Sequence, residues 1–328
     1  MNSASKRKLT QSELAAVIQT TFGDEVEIVS TDELTHGWCN TGYKVTLGGA
    51  TVPNADANLP RRVVVKVAPA DGTLRMRCER NIMQAEVDVL RLMRSHSPVV
   101  PVPTVYLYDA SRGLVDAQYF IMECMPGKPY SSIKDEISEE EKHRIERSLG
   151  RYNRIINEPT GRMFGYVGQA DRQTNTWRDA FLQMMDDVLM DGTEMRVELP
   201  VAYQAIRHRL DENVACLDEV SEPRLVHWDL WDGNVMVEDN EISGILDFER
   251  AVWGDPLMEF YFGHFTPQGA FTEGYGRSIT TDSERLRRWL YDLYLDLILV
   301  IECTYRGYED HNHIEWTMRN LTQTWRRY

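Results

Sequence analysis

The chain has 328 residues, 42% of them hydrophobic and 27% charged, so it is long enough for a large core or two lobes and is not a disordered polymer. Its formal net charge of -15 argues against a nucleic-acid binder, which grips phosphates with surplus Lys and Arg, and leaves a neutral or cationic partner as the expectation. The five cysteines, Cys39, Cys78, Cys124, Cys216 and Cys303, are scattered and never spaced C-x-x-C, which indicates neither a zinc site nor a disulfide framework and predicts a reducing, cytoplasmic setting.

Residues 1–10 are polar and basic, and the amphipathic stretch from Ser12 to Phe22 is too polar for a signal peptide. That stretch predicts a helix with Ser12 as N-cap and Gly23 as its stop. Short β-branched or aromatic runs at Val26 to Val29, Tyr43 to Leu47 and Val63 to Val67 predict strands, with a hairpin loop from Gly48 to Leu59. Asn81 to Arg94 carries Ile82, Val89, Leu90 and Met93 on one helical face, and Pro98, Pro101 and Pro103 end it. Two further strands, Val105 to Tyr108 and Gln118 to Met122, lead into Glu123-Cys124-Met125-Pro126-Gly127, where the pattern turns from strand-rich to helix-rich. The expected organisation is therefore α+β, with a β-rich lobe over 1–124 and a mainly helical lobe over 125–328.

In the second lobe, helices are predicted from Glu139 to Ile156, with Ser138 and Glu141 in capping-box spacing, then from Thr176 to Met190 and from Val201 to Val220. Leu225-Val226, Val235 to Val237 and Ile242 to Leu246 interrupt them as strands, the last two joined by a tight Asp239-Asn240 turn, and helix returns from Ser283. The apolar run Leu293 to Ile301 contains Asp296 and is far short of the ~20 residues that span a bilayer, so no membrane association is expected.

The β-rich interruption carries the chemistry. His227-Trp228-Asp229-Leu230-Trp231-Asp232-Gly233-Asn234, a hairpin, and then Leu246-Asp247-Phe248-Glu249 fit an H-x-D-x-x-x-x-N loop followed by a metal-binding Asp. Phosphoryl transfer needs these residue types: a carboxylate, Asp229, to orient the attacking hydroxyl and accept its proton, and hard oxygen ligands, Asn234 and Asp247, for Mg²⁺ bridging the phosphates. The spacing from Asp229 to Asn234 lets one tight loop aim both side chains into a cleft to which the hairpin returns Asp247.

These residues make the chain similar to the aminoglycoside phosphotransferase and choline kinase superfamily, relatives of protein kinases, over most of its length. The resemblance implies a protein-kinase-like two-lobed fold and ATP or GTP with Mg²⁺ as cofactors. It assigns Lys66, in Val63-Val64-Val65-Lys66-Val67, to the α- and β-phosphates, and Glu86, in preference to Glu79, as its ion-pair partner. It places Gly37 and Asn40 in a nucleotide-positioning loop, and the Glu123 carbonyl and Met125 amide at the hinge that receives adenine. It gives His227 a structural role, while Trp228 replaces the small residue usual between this histidine and the aspartate.

The acceptor implied is a small hydroxylated molecule, of the aminoglycoside-like or other amino/hydroxyl kind and slightly favoured as cationic. The aromatic and acidic residues of the tail, from Trp289, Tyr291, Tyr294 and Asp296 to Glu302 and Tyr305, lie where such kinases build acceptor specificity, but a helix core with a solvated acidic face accounts for them better. The rival is a catalytically silent nucleotide-binding module acting through a protein partner; the presence together of Lys66, Asp229 and Asp247 speaks against it.

Overall fold

The structure is a computed structural model and describes residues 7–34, 40–49, 60–70, 72–266 and 269–328. Gly37, Cys39 and most of the expected 48–59 hairpin loop lie outside the described residues.

Helix α1 (Gln11–Phe22) is capped by Thr10, not by Ser12. Thr10 and Glu13 satisfy each other's backbone N–H groups reciprocally, at 3.2 and 2.8 Å, whereas Ser12 has Ala15 three residues on and no such partner. Gly23 does close the helix, at φ 104°. Strands β1 (Glu27–Leu34), β2 (Thr41–Gly48) and β3 (Arg62–Val67) follow; β1 runs beyond its expected apolar core because β2 offers a ladder to its polar residues Ser30 to Glu33. After a short 3₁₀ turn, Arg77–Glu79, come α2 (Ile82–His96), β4 (Val105–Asp109) and β5 (Tyr119–Glu123).

The five strands form one antiparallel sheet in the order β1-β2-β3-β5-β4. Strand alternation divides its residues between two cores. Val63, Val65, Val67, Tyr119 and Ile121 face α1 in a small outer core, while Val64, Phe120 and Met122 face α2 and join the large core that continues into the rest of the molecule. Lys66 is on this second face.

The remainder is mainly helical: β6 (Lys128–Pro129), α3 (Tyr130–Ile133), α4 (Glu139–Ile156), β7 (Gly165–Tyr166), α5 (Trp177–Glu194), α6 (Tyr203–Asn213), β8 (Arg224–Val226), β9 (Val235–Glu238), β10 (Glu241–Ile245), β11 (Val252–Gly254), α7 (Ala270–Tyr275), α8 (Asp282–Arg306) and α9 (His311–Trp325). The α4 bounds and its Ser138–Glu141 capping box are as expected. The helix expected to reach Val220 instead tightens into 3₁₀ turns after Asn213, where Asn213 bonds back to the Arg209 carbonyl at 2.7 Å and Arg287 takes the Cys216 carbonyl at 3.2 Å. Asp239 and Asn240 both hold positive φ, 50° and 61°, the geometry of a type I′ hairpin turn between β9 and β10. Cys78, Cys124, Cys216 and Cys303 are free, and no described helix is long and apolar enough to cross a membrane.

Candidate active site

Lys66 sits on the central strand β3, between β2 and β5, and points off the sheet toward α2. Its Nζ donates to both Glu86 carboxylate oxygens at 2.7 and 2.8 Å and to Asp247 Oδ1 at 2.8 Å. Glu79 is engaged elsewhere, by Arg306 and, at 3.6 Å, Arg250. Burial works against the Lys66 charge, but Asp247 and Glu86 outweigh it and hold the ammonium above its ordinary range. In return Lys66 keeps Asp247 below the usual carboxylate range in spite of its burial, while the fully enclosed Glu86 is pushed up to about 7 by burial.

Between β8 and β9 the loop 227–234 is held from behind by one carboxylate. Glu259, buried at the end of a 3₁₀ turn, accepts the His227 N–H at 2.8 Å and the Trp228 N–H at 3.1 Å, together with the side-chain amides of Asn153 (2.9 Å) and Asn157 (3.0 Å) on and just after α4. The ring of His227 meets the Leu246 carbonyl at 2.8 Å through Nε2, tying this loop to the strand end that carries Asp247. Burial lowers the His227 pKa, and because a carbonyl oxygen can only accept, Nε2–H is the donor.

Within the loop, Asn234 is buried and its Nδ2 donates to the Asp229 carbonyl at 2.8 Å, while the Leu246 N–H bonds the Asn234 carbonyl at 2.9 Å. Asp229, Asn234 and Asp247 are thus brought to one wall of the cleft. Asp229 keeps one side open; burial of the rest pushes its carboxyl up to about 7, with Arg250 pulling it down and Asp247 and Glu302 pushing it further up. Trp228 is buried against Tyr294 (ring centroids 5.6 Å) and beneath the Arg250 guanidinium (5.6 Å).

Asn40 and Glu249, 209 residues apart, also meet here: Asn40 Nδ2 donates to Glu249 Oε2 at 2.8 Å. Glu86, Asp247 and Glu249 offer carboxylate oxygens all within 4.8 Å of one another. Burial and the neighbouring Asp247 push Glu249 up to about 8. Three carboxylates around the single ammonium of Lys66, with a buried amide from Asn234 on the same wall, are an excess of hard oxygen donors that fits a divalent cation.

At the other end of the cleft, Glu123 closes β5. Its side chain accepts through Oε2 from Thr104 N (3.2 Å) and Oγ1 (2.9 Å), and its N–H donates to the Thr104 carbonyl at 2.8 Å. The side chain of Met125 packs against Gly244 of β10, where an added Cβ would lie 2.8 Å from Met125 Cβ. The tail residues Trp289, Tyr291, Tyr294 and Asp296 are all in the core; Glu302 pairs with Arg250 at 3.2 Å, and Tyr305 donates to Asp191 at 3.3 Å.

Sequence reasoning did not single out Glu259, Arg250 or the two asparagines. Asn153 did leave a trace: it lies on the buried stripe of α4 with Leu149 and Ile156, where a polar side chain needs a partner.

Residues 31–289 match the family model described as the phosphotransferase enzyme family. No curated protein matches the sequence significantly. Among solved structures, the ternary complex of streptomycin, ATP and APH(2")-IIa has a TM-score of 0.61 at 17% identity, covering 97% of each chain. A thermostable mutant of aminoglycoside phosphotransferase APH(4)-Ia with AMP-PNP and hygromycin B has a TM-score of 0.64 at 18% identity, covering 96% of this chain and 98% of that one. The GDP and kanamycin complex of APH(2")-IIIa has a TM-score of 0.62 at 15% identity, covering 97% and 99%.

Proposed function

The chain belongs to the phosphotransferase enzyme family, and from that premise we propose that it is a Mg²⁺-dependent small-molecule kinase, transferring the γ-phosphoryl group of ATP or GTP to an acceptor hydroxyl. The observation that carries this reading is the convergence of Lys66, Glu86 and Asp247 within 2.8 Å contacts, beside a loop that presents Asp229 and Asn234. A charged lysine fixed between two carboxylates has little structural purpose in a cleft; it is a prepared ligand for phosphate oxygens.

In this reading residues 1–124 hold the nucleotide and 125–328 supply the catalytic loop and the acceptor site. Lys66, oriented by Glu86, binds the phosphates; Gly37 and Asn40 are assigned to positioning the nucleotide, and the Glu123 carbonyl and Met125 amide receive the base. Asn234 and Asp247 are the residues that would hold Mg²⁺, with Glu249 beside them, and the ion when bound neutralises charge on the phosphate oxygens. Asp229 aligns the acceptor hydroxyl and takes its proton. The similar kinases carry streptomycin, hygromycin B or kanamycin, which supports a hydroxylated, amino-bearing acceptor here.

The test is Mg²⁺-dependent ADP release across aminoglycosides, other hydroxylated antibiotics, choline, ethanolamine, homoserine and glycated amines, with Asp229→Ala as control. Acceptor-stimulated turnover is expected in the native protein and its loss in the variant; full turnover by Asp229→Ala would sink the assignment.

A further inference from the structure

The proposed chemistry leaves Arg250 unassigned, yet its side chain lies where the segments of the site meet. Arg250 closes the 3₁₀ turn Phe248–Arg250, which follows directly on Asp247. Its guanidinium lies 5.6 Å from the ring centroid of Trp228 and donates to Glu302 of α8 at 3.2 Å. Glu79, at the end of the turn before α2, is 3.6 Å away. One side chain thus links the segment that carries Asp247, the residue before Asp229, α8, and the turn leading to the helix that bears Glu86.

A stabilising ion pair does not by itself account for this placement. The Arg250 side chain is 12% exposed, and a buried guanidinium–carboxylate pair gains little over apolar side chains of the same volume. Glu79 is already matched by Arg306. Burial works against the guanidinium charge, and Glu302, followed by Asp229, outweighs it. The contact with Trp228 is of another kind: a guanidinium within about 6 Å of an indole centroid is drawn to the electron-rich face of the ring, more strongly where water is excluded.

What that contact restrains is the residue before Asp229. Trp228 is buried and holds φ at 68°, a conformation that persists only where surrounding contacts impose it. Glu259 fixes its N–H at 3.1 Å. Its indole rests on Tyr294, whose hydroxyl meets that of Tyr166 in the helical core, and on Arg250, which ties the ring to the turn after Asp247. Asp229 shares a planar peptide unit with Trp228, so a shift of the indole that turns this unit also turns the direction in which Asp229 leaves the loop.

We infer that Arg250 is a positioning residue for the proposed phosphoryl transfer: its guanidinium, seated on Trp228 and held by Glu302, fixes Asp229 relative to Asp247. It acts through Trp228 and not by contact with the acceptor. Its consequence for turnover rests on the kinase reading, whereas its effect on the order of the loop 227–234 rests on the contacts alone.

The variant Arg250→Met/Glu302→Met removes both members of the pair, so neither charge is left buried without the other. Hydrogen exchange of the full chain without nucleotide, followed by mass spectrometry, should show residues 227–234 exchanging about tenfold faster in that variant, with α4 and α5 at native rates. Arg250→Lys, which keeps the cation, and Glu302→Gln, which leaves Arg250 on Trp228, should both stay closer to native. Native exchange of 227–234 in the double variant overturns the inference. So does faster exchange spread equally over α4 and α5, the mark of a general loss of stability. Turnover is then measured with whichever hydroxylated compound of the acceptor panel gives the most Mg²⁺-dependent ADP release. The double variant should lower kcat about ten- to a hundredfold and leave the nucleotide KM within about twofold, with Arg250→Lys closer to native. A native kcat, or an effect confined to the nucleotide KM, overturns the positioning role. Absence of turnover in the native protein with every acceptor would count against the kinase reading, while the exchange experiment would still decide whether Arg250 orders the loop, so the two can fail separately.

Discussion

Trp228 and Asp247 both hold φ at 68°, a left-handed conformation that costs a side-chain-bearing residue roughly 1–2 kcal/mol. Each is held there from outside: Trp228 by its backbone bond to Glu259 and its packing on Tyr294, Asp247 by Lys66. Such strain is sustained only where surrounding contacts overdetermine it, and here it aims Asp229 and Asp247 into the cleft. With its carboxyl near 7, Asp229 in the proposed role must lose its proton to act, so kcat/KM should rise with pH through about 7 and level off above it. A pH–rate profile with no acid limb in that region would count against Asp229 as the base. Glu259 acts one step further back, through the main chain of His227 and Trp228. Glu259→Gln removes a buried charge and turns an NH₂ group toward donors, which should destabilise the protein by roughly 2–4 kcal/mol in chemical denaturation and lower kcat more than it changes the nucleotide KM.

At the scale of elements, α4 and α7 pack backbone to backbone because glycines face the contact from both sides. A Cβ at Gly150 would lie 2.1 Å from the Phe271 carbonyl oxygen, and one at Gly274 only 1.8 Å from that of Arg147, so neither side chain could be accommodated without the helices parting. Gly274→Ala should therefore destabilise by about 1–3 kcal/mol or more, read as a lower denaturation midpoint, even though alanine is the better helix former. On α8, Asp296 is buried with neither oxygen hydrogen-bonded, and the His264 ring lies 3.6 Å away. Burial pushes its carboxyl up to about 6 from an ordinary 3.8. Between those values the native chain holds a proton that the unfolded chain has lost, so stability falls as pH rises through the window, by roughly 3 kcal/mol once both forms are ionised. Asp296→Asn should flatten that part of the stability–pH curve and be the more stable protein at pH 8; identical curves for the two proteins would refute this account.

At the scale of the whole molecule, the segment before α2 is bolted to the helical side. Arg77 pairs with Asp191 and Glu194 of α5, Gln169 Nε2 donates to the Arg77 carbonyl at 3.0 Å, and Glu79 pairs with Arg306 at the end of α8. Helix α2, and with it Glu86, is thereby fixed relative to Asp247, the two carboxylates that Lys66 bridges. Much of this molecule was legible in one dimension. The loop 227–234, the Asp239-Asn240 turn, the strand bearing Lys66 and the α4 capping box depend on spacings of a few residues, and local propensity and hydrogen bonding enforce those wherever they occur. Ser12 was misread as a cap because a nearer reciprocal pair, Thr10 with Glu13, competed at the same end. Only the tertiary structure decided that Glu259 and the Asn153 and Asn157 amides hold the loop from behind, and that Asn40 meets Glu249. Those contacts join residues tens to hundreds of positions apart, and their free energy comes from burying charge and amide groups together, a property of where the folded chain puts them and not of any segment that carries them.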